Sequence, residues 1–288
     1  MQFAFNCAQS ILIYNDIRIF IISNMDFTIP DKFKKNIFIM PAKKEHIPLG
    51  IGMKLYMDEY LQTEHTLFID SDCICFGNLD EVFEACQDMD VTVVGNVALT
   101  EEWCGEECAA LVKKNHNMNE IIRFNGGLYY IKKTPLANEI FSKARALAKE
   151  FSYGFDIIKN KWVTEELAIS IAMQLYHQRP IPDNGYFMTD LYTDRRPNKI
   201  NVLKGERSLN NPLYPLPLHR PWYPERYSPI VLHFGGKNIN AYPYLSQRLL
   251  LKLDKLNLPM PVTNMLINIF VHLPYKSYHW IKRYIKPH

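Results

Sequence analysis

The sequence predicts an α/β domain with a largely parallel sheet, and two observations carry that prediction. Apolar runs of strand length alternate with stretches of helical periodicity at the spacing of βαβ units. One such run, inside His65–Phe76 (HTLFIDSDCICF), stops at two carboxylates, Asp70 and Asp72, one residue apart. Ligands of open α/β sheets collect outside the carboxyl ends of strands, and two carboxylates there are costly to desolvate unless paired or metal-bound.

The elements follow in order. Ala4, Cys7, Ala8, Ile11 and Leu12 recur at the spacing of one helix face. Asn15-Asp16 breaks that helix, and Ile17 to Ile22 (IRIFII) reads as a buried strand. Asn36 to Met40 is a second short strand, Lys54 to Leu61 is helical, and Thr66 to Ile69 is the strand that runs into the two aspartates. Leu79 to Cys86 reads as a short helix and Val91 to Val94 as the next strand. Gly127 to Ile131 is a further strand, followed by a long helix from Pro135 to Phe151 and a second amphipathic helix from Thr164 to Tyr176. Prolines at 212, 215, 217, 221, 224 and 229 deny regular hydrogen bonding to Asn211–Pro229. PIVLHFGG then forms a last strand ending in polar and glycine residues, and no internal repeat is visible.

At 288 residues and 48% hydrophobic content, the chain is long enough to bury one full core, alone or with an appendage. A net charge of +3 and a pI near 8.4 are too mild for a nucleic-acid binder. The six cysteines (Cys7, Cys73, Cys75, Cys86, Cys104, Cys108) lack framework spacing and are expected as buried or free thiols. A zinc site from Cys73-x-Cys75 and Cys104-x3-Cys108 is the less favoured alternative. There is no basic leader region and no uninterrupted apolar run near twenty residues, so the expected location is cytoplasmic.

A bare Asp-x-Asp is weak by itself, and the chain holds a second one, Asp88-Met89-Asp90. That pair precedes its strand, where it caps or solvates the start; Asp70-Ser71-Asp72 follows its strand. The bland alternative is a polar turn capping the next helix, but Asn78 could supply that cap. Two neighbouring carboxylates repel, and a divalent cation with oxygen ligands resolves the repulsion.

Three segments, HTLFIDSDCICFGNLDEVF, RFNGGLYYIKK and VLHFGG, resemble in order and spacing the glycosyltransferases of the GT-A fold. The resemblance is closest to glycosyltransferase family 8 and its bacterial relatives, and covers about Ala4 to Gly236. It implies a Rossmann-like mixed sheet flanked by helices over residues 1–254, with a helical appendage over 255–288. It also implies transfer of a sugar from a nucleotide-diphosphate donor, a UDP-hexose, to a hydroxyl of a glycan or lipid-linked acceptor, with retention and with Mn2+ or Mg2+. By the resemblance Asp70 and Asp72 bind the metal, with Ser71 between them at the donor, and His233 is the third protein ligand. Two carboxylates and an imidazole suit Mn2+ better than Mg2+.

Phe124-Asn125-Gly126-Gly127 matches the family's Phe-Asn-small-Gly turn, placing Asn125, Gly126 and Gly127 at the sugar. The alternative is an ordinary Asn-Gly hairpin turn. Lys54 falls where the family has a basic residue reaching the donor, although a surface lysine fits the helix equally well. Gly236 and Lys237 follow His233, and Lys237 could neutralise a phosphate as a point charge. The family's lysine stands two residues later in a Lys-Pro-Trp segment, where this chain has Ile239. Glu165 and Glu166 occupy the family's Asp-Gln position. Either could stabilise or attack the anomeric carbon, or simply favour the helix dipole. Glu166 is preferred because Thr164 could cap the helix and leave the second acid facing inward. No separate base is expected, since the departing phosphate oxygen takes the acceptor's proton in the mechanism usual for the family.

Two departures bear on function. The family opens with a strand before its first helix, whereas this sequence starts inside that helix; the expectation is a chain lacking that first strand, with weakened nucleotide affinity. From Lys255 onward there is no Asp or Glu, while Lys255, Lys276, Lys282, Arg283 and Lys286 sit among Tyr275, Tyr278, Trp280 and Tyr284. That tail reads either as a packed helix with solvated lysines or as a peripheral membrane contact. A catalytically silent nucleotide-sugar-binding or scaffold protein is the competing function. A nucleotidyltransferase trails, for want of a glycine- and basic-rich phosphate loop near the start.

Overall fold

The computed structural model describes residues 2–25, 27–154, 165–191, 196, 198–213, 219–256 and 258–285. Helix α1 (Gln2–Tyr14) leads to strands β1 (Ile19–Ser23) and β2 (Ile37–Pro41), then a 3-10 segment, Ile47–Tyr60. Strands β3 (His65–Ile69) and β4 (Cys73–Cys75) flank the two aspartates; α2 (Asp80–Cys86), β5 (Val91–Leu99), α3 (Thr100–Cys104) and α4 (Glu106–His116) follow. Next come β6 (Glu120–Lys132), α5 (Pro135–Gly154), α6 (Glu165–Leu175), β7 (Ile181–Pro182) and β8 (Met188–Asp190). Strands β9 (Lys199–Asn201), β10 (Glu206–Asn210), β11 (Arg226–Tyr227) and β12 (Val231–His233) precede a 3-10 turn, Gly236–Asn240. The chain ends in α7 (Tyr242–Asp254), α8 (Met260–Ile267), a π segment (Asn268–His272) and α9 (Leu273–Ile285). It divides into two compact units: Met1–Ile19 with Asp70–Leu79 and Asn184–His288, and Phe20–Ile69 with Asp80–Asp183. Residues 255–288 fall within the former.

In the unit formed by Phe20–Ile69 and Asp80–Asp183, the main sheet runs β3-β6-β5-β7. It is mixed rather than largely parallel. Strand β6 pairs antiparallel with both β3 and β5, and only β5 and β7 run parallel. The thirteen residues of β6 offer one edge to β3 and the other to β5. Val91, Val93, Ile121 and Ile131 meet Ile140, Phe141, Ala144 and Leu147 of α5 and Ala168, Ile171 and Ala172 of α6. The α5 positions recur at helical spacing, one apolar stripe against the sheet.

Three details of this unit differ from expectation. Asn125-Gly126 is no hairpin turn but part of a bulge within β6: Val93 faces Tyr129 while Gly95 faces Phe124, so β6 spends five residues where β5 spends two. Gly95 permits this, because a Cβ there would sit 2.6 Å from the Arg123 carbonyl oxygen. Cys104 and Cys108 are disulfide-bonded to each other, which overturns both the free thiols and the zinc alternative at these positions. The helix expected at Lys54–Leu61 is the end of the longer 3-10 segment, broken at Gly50, whose φ of 56° favours glycine. Arg145 of α5 holds this segment, donating to both oxygens of Asp58 at 2.7 and 3.1 Å and to the Leu55 carbonyl at 2.9 Å.

The other unit is built on a three-stranded sheet, β4-β12-β8, antiparallel then parallel, and a second sheet, β11-β10-β9. Strands β9 and β10 went unread in the sequence, and β11 interrupts the proline-rich passage, of which 214–218 lie outside the described residues. Helix α1 is buried around its circumference over Phe5–Ile11, not along one stripe. Its polar residues are paired: Gln9 donates to the Leu251 carbonyl at 2.9 Å, and the Ser10 hydroxyl accepts from the Cys75 amide at 2.9 Å. Ile74, Phe76, Leu232, Phe234 and Tyr244 form the core here.

The Arg145–Asp58 pair tests how firmly the 3-10 segment is held. Asp58→Ala leaves a half-buried guanidinium without its bidentate partner and is expected to lower the unfolding free energy by about 2–3 kcal/mol, read from guanidinium denaturation.

Candidate functional site

Register builds the first candidate site. In the β4-β12-β8 sheet, Cys73 lies opposite His233, and His233 lies opposite Asp190. Directly opposed residues project from one face of a sheet, so these three side chains form a row. Ahead of β4 the chain makes a tight turn in which the Cys73 amide donates to the Asp70 carbonyl at 3.0 Å. The Phe234 amide then donates to the Asp72 carbonyl at 3.1 Å, fixing the turn to the end of β12.

The side chains converge accordingly. His233 Nδ1 lies 2.7 Å from Asp190 Oδ1, while its Nε2 lies 3.2 Å from Asp72 Oδ1 and 4.0 Å from Asp70 Oδ2. Asp72, Cys73 and His233 each offer a ligand atom within 4.8 Å of the others. The Cys73 thiol is fully buried, and burial first, then the neighbouring Cys7 thiol and the carboxylates of Asp70, Asp72 and Asp190, pushes its pKa well above the usual value. It is a neutral thiol beside the carboxylates. Gly235 packs against the ring, since a Cβ there would meet the imidazole at 2.9 Å.

His233 decides the electrostatics. Burial acts to lower its pKa, but hydrogen bonds to Asp190 and Asp72, with the charges of both, raise it to about 10. At neutral pH the ring is an imidazolium among three carboxylates, so the cluster already selects positive charge. The donor set also fits a divalent cation: two carboxylates on one turn and an imidazole nitrogen whose partner nitrogen is held by a third carboxylate. A cation taking Nε2 must displace its proton.

The second unit gathers the other expected residues into a cluster of its own. Lys54 Nζ donates to the Gly126 carbonyl at 2.8 Å and lies 3.5 Å from Glu165 Oε1. The Gly126 amide donates to Glu166 Oε1 at 2.6 Å, and the Gly127 amide donates to Asn125 Oδ1 at 2.9 Å. Gly126 is required, for a Cβ there would sit 2.6 Å from the Tyr129 hydroxyl and 2.9 Å from Glu166 Oε1. Lys54 is thus no solvated surface lysine: it is half-buried and tied to the bulge. Glu165 is buried and Glu166 reaches the glycine, both from the first turn of α6; Thr164, the expected cap, lies outside the described residues.

Gly236 and Lys237 open the 3-10 turn after β12, both exposed, and Gly236 takes a φ of 60°. Ser71 is exposed at the tip of the aspartate turn. Sequence reasoning missed Asp190. Its only signal was an acid closing the short apolar run Phe187-Met188-Thr189, the same pattern as Asp70 on a weaker strand.

Neither a protein-family model nor a curated protein matches the chain. Among solved structures it is similar to the glycosyltransferase GlyE of Streptococcus pneumoniae TIGR4, with 14% identity and a TM-score of 0.38 over 63% of this chain and 41% of that one. It is similar to the galactosyltransferase LgtC in complex with donor and acceptor sugar analogs, with 15% identity and a TM-score of 0.49 over 82% and 83%. It is also similar to the bifunctional glycosyltransferase WbbM in its apo form, with 13% identity and a TM-score of 0.46 over 82% and 44%. In these matches the chain spans less than half the length of GlyE and of WbbM. At such levels no residue role passes across, and the reading of the site rests on this chain's own geometry.

The raised pKa of His233 fixes a pH dependence. Its stabilising contribution is fully present below the ordinary histidine value of 6.5 and is lost as pH rises through about 10. The stability gap between the native protein and His233→Gln is therefore expected to be widest below pH 6.5 and to narrow toward pH 10 in parallel thermal melts.

Proposed function

We propose that the protein is a metal-dependent glycosyltransferase that moves a hexose from a UDP-hexose donor to an acceptor hydroxyl with retention, releasing UDP. The observation that supports this most is the approach of Asp70 and Asp72 to one nitrogen of His233, whose other nitrogen is held by Asp190. Asp70, Asp72 and His233 would hold Mn2+ or Mg2+, and Asp190 fixes the imidazole tautomer and orientation. Bound there, the cation supplies Lewis-acid neutralisation of the charge that a diphosphate leaving group accumulates.

The chain's own groups do the rest. Asp72 and Asp70 would act as the negatively charged ligands. Glu166, on the bulge with Asn125 and Gly127, is the acid proposed to face the anomeric carbon, where a carboxylate stabilises developing positive charge. Lys54 neutralises Glu165 and holds the Gly126 carbonyl, so the glycine amide stays aimed at Glu166. Lys237, Gly236 and Ser71 are proposed on the donor phosphates. The acceptor is a glycan or a lipid-linked sugar, and a cytoplasmic location with peripheral membrane contact through the last helices is part of the proposal. Among the described residues no helix is long and apolar enough to cross a membrane.

Calorimetry with Mn2+ and release of UDP from a panel of UDP-sugars test the reading together. Asp72→Asn is expected to abolish manganese uptake and UDP release, and Asp190→Asn to weaken uptake by about 10–100-fold. Manganese affinity should rise with pH below about 10, as His233 yields its proton. Glu166→Gln is expected to lower turnover by about 10²–10³-fold with manganese uptake intact. UDP release that persists in a chelator and in Asp72→Asn would overturn the assignment. Binding of manganese and UDP-sugar without turnover would favour the silent nucleotide-sugar-binding protein instead.

A further inference from the structure

A cavity of about 620 Å³ opens in the carboxyl-terminal part of the chain, lined by none of the residues assigned above. Its walls come from β9, β10, α7, the π segment and α9. Helix α9 is pinned there by Tyr275, whose hydroxyl accepts from the Asn198 amide at 3.3 Å and whose ring stacks on Tyr242 with centroids 5.2 Å apart.

The chemistry of the lining is two-sided. Lys199, Lys204 and Lys276 supply three cations, and among the described lining residues Glu206 is the sole carboxylate. The remainder is largely apolar, with Tyr242, Tyr275 and Trp280 the large surfaces. His272, also on the wall, has its pKa lowered, first by burial and then by Lys204 and Lys276, against the opposing pull of Glu206. The π segment and α9 also expose Phe270, Leu273 and Trp280, of which Trp280 lines the cavity, and no acid occurs from Lys255 to the end of the chain.

A concave site with cations on one wall and aromatic faces on another matches an amphiphile bearing an anionic head. We infer that this cavity is a binding site for a single phosphate-headed lipid, its phosphate held by Lys199, Lys204 and Lys276 and its hydrocarbon laid against Tyr242, Tyr275 and Trp280. The size supports a headgroup with the first part of one chain. Lysine serves here as a mobile point charge, suited to a phosphate monoester that presents no fixed plane.

Calorimetry of the full chain with monomeric decyl phosphate, below its micelle concentration, tests the inference. The expected result is saturable binding of one molecule, weakened at least about tenfold in K204Q/K276Q and unchanged in Lys252→Gln on the exposed side of α7. Asn268→Asp, an exposed lining position that places a second carboxylate in the wall, should weaken it too and serves if the double variant does not fold. Inorganic phosphate and the neutral decyl maltoside are expected to bind at least about tenfold more weakly than decyl phosphate. Equal binding of inorganic phosphate would reduce the site to an anion site, and equal binding of decyl maltoside to an apolar groove; either overturns the inference. So would failure of decyl phosphate to bind, or indifference to the charge changes. No metal or nucleotide enters these measurements, so their failure and that of the transferase reading are separable.

Discussion

The candidate metal centre depends on one constraint: three carboxylates within hydrogen-bonding or ion-pairing range of one imidazole. Asp190 and His233 are neighbours across parallel strands, and Asp70 and Asp72 arrive on a turn pinned by two backbone hydrogen bonds. Such a concentration of negative charge, partly withdrawn from water, requires positive charge in its midst. The imidazolium of His233 supplies it when nothing else does, which is why its pKa rises to about 10 despite burial that pulls the other way. A divalent cation and the His233 proton are thus alternative answers to one electrostatic demand.

The second unit solves a different problem, that of pairing backbone amides that leave the strand ladder inside a sheet. A regular ladder would consume the amides of Gly126 and Gly127. The bulge in β6 frees them, and each finds a side-chain oxygen instead, of Glu166 and Asn125 respectively. Two glycines make this geometry possible, Gly95 on the facing strand and Gly126 in the bulge itself. Lys54 is held in place by a segment that is not a regular helix, so its position depends on Arg145 gripping Asp58 and the Leu55 carbonyl.

The carboxyl-terminal helices show how far composition alone reaches. The absence of acids after Asp254 and the run of aromatic residues are plain in the sequence but fit a packed helix with solvated lysines as well as a membrane contact. A cavity needs residues from β9 and β10 as well as from α9, and those strands are too short and too polar to be read from periodicity. Helices α3 and α4 escaped for a related reason: the first is a single turn, and the second is polar enough to hide its buried Cys108 and Val112.

By itself the sequence determined the succession of strand and helix, the amphipathic stripe of α5, and the two aspartates at a strand's end. These are local matters, set by side-chain periodicity and by where an apolar run stops. Tertiary structure alone decided that Asp190 completes the histidine row, that Asn125-Gly126 is a bulge rather than a hairpin, and that Cys104 bonds Cys108. The disulfide depends on how two short helices, α3 and α4, meet. The histidine row and the bulge depend on which strand lies beside which and in what register, and register is fixed by contacts between residues tens to well over a hundred positions apart, for which no local pattern exists.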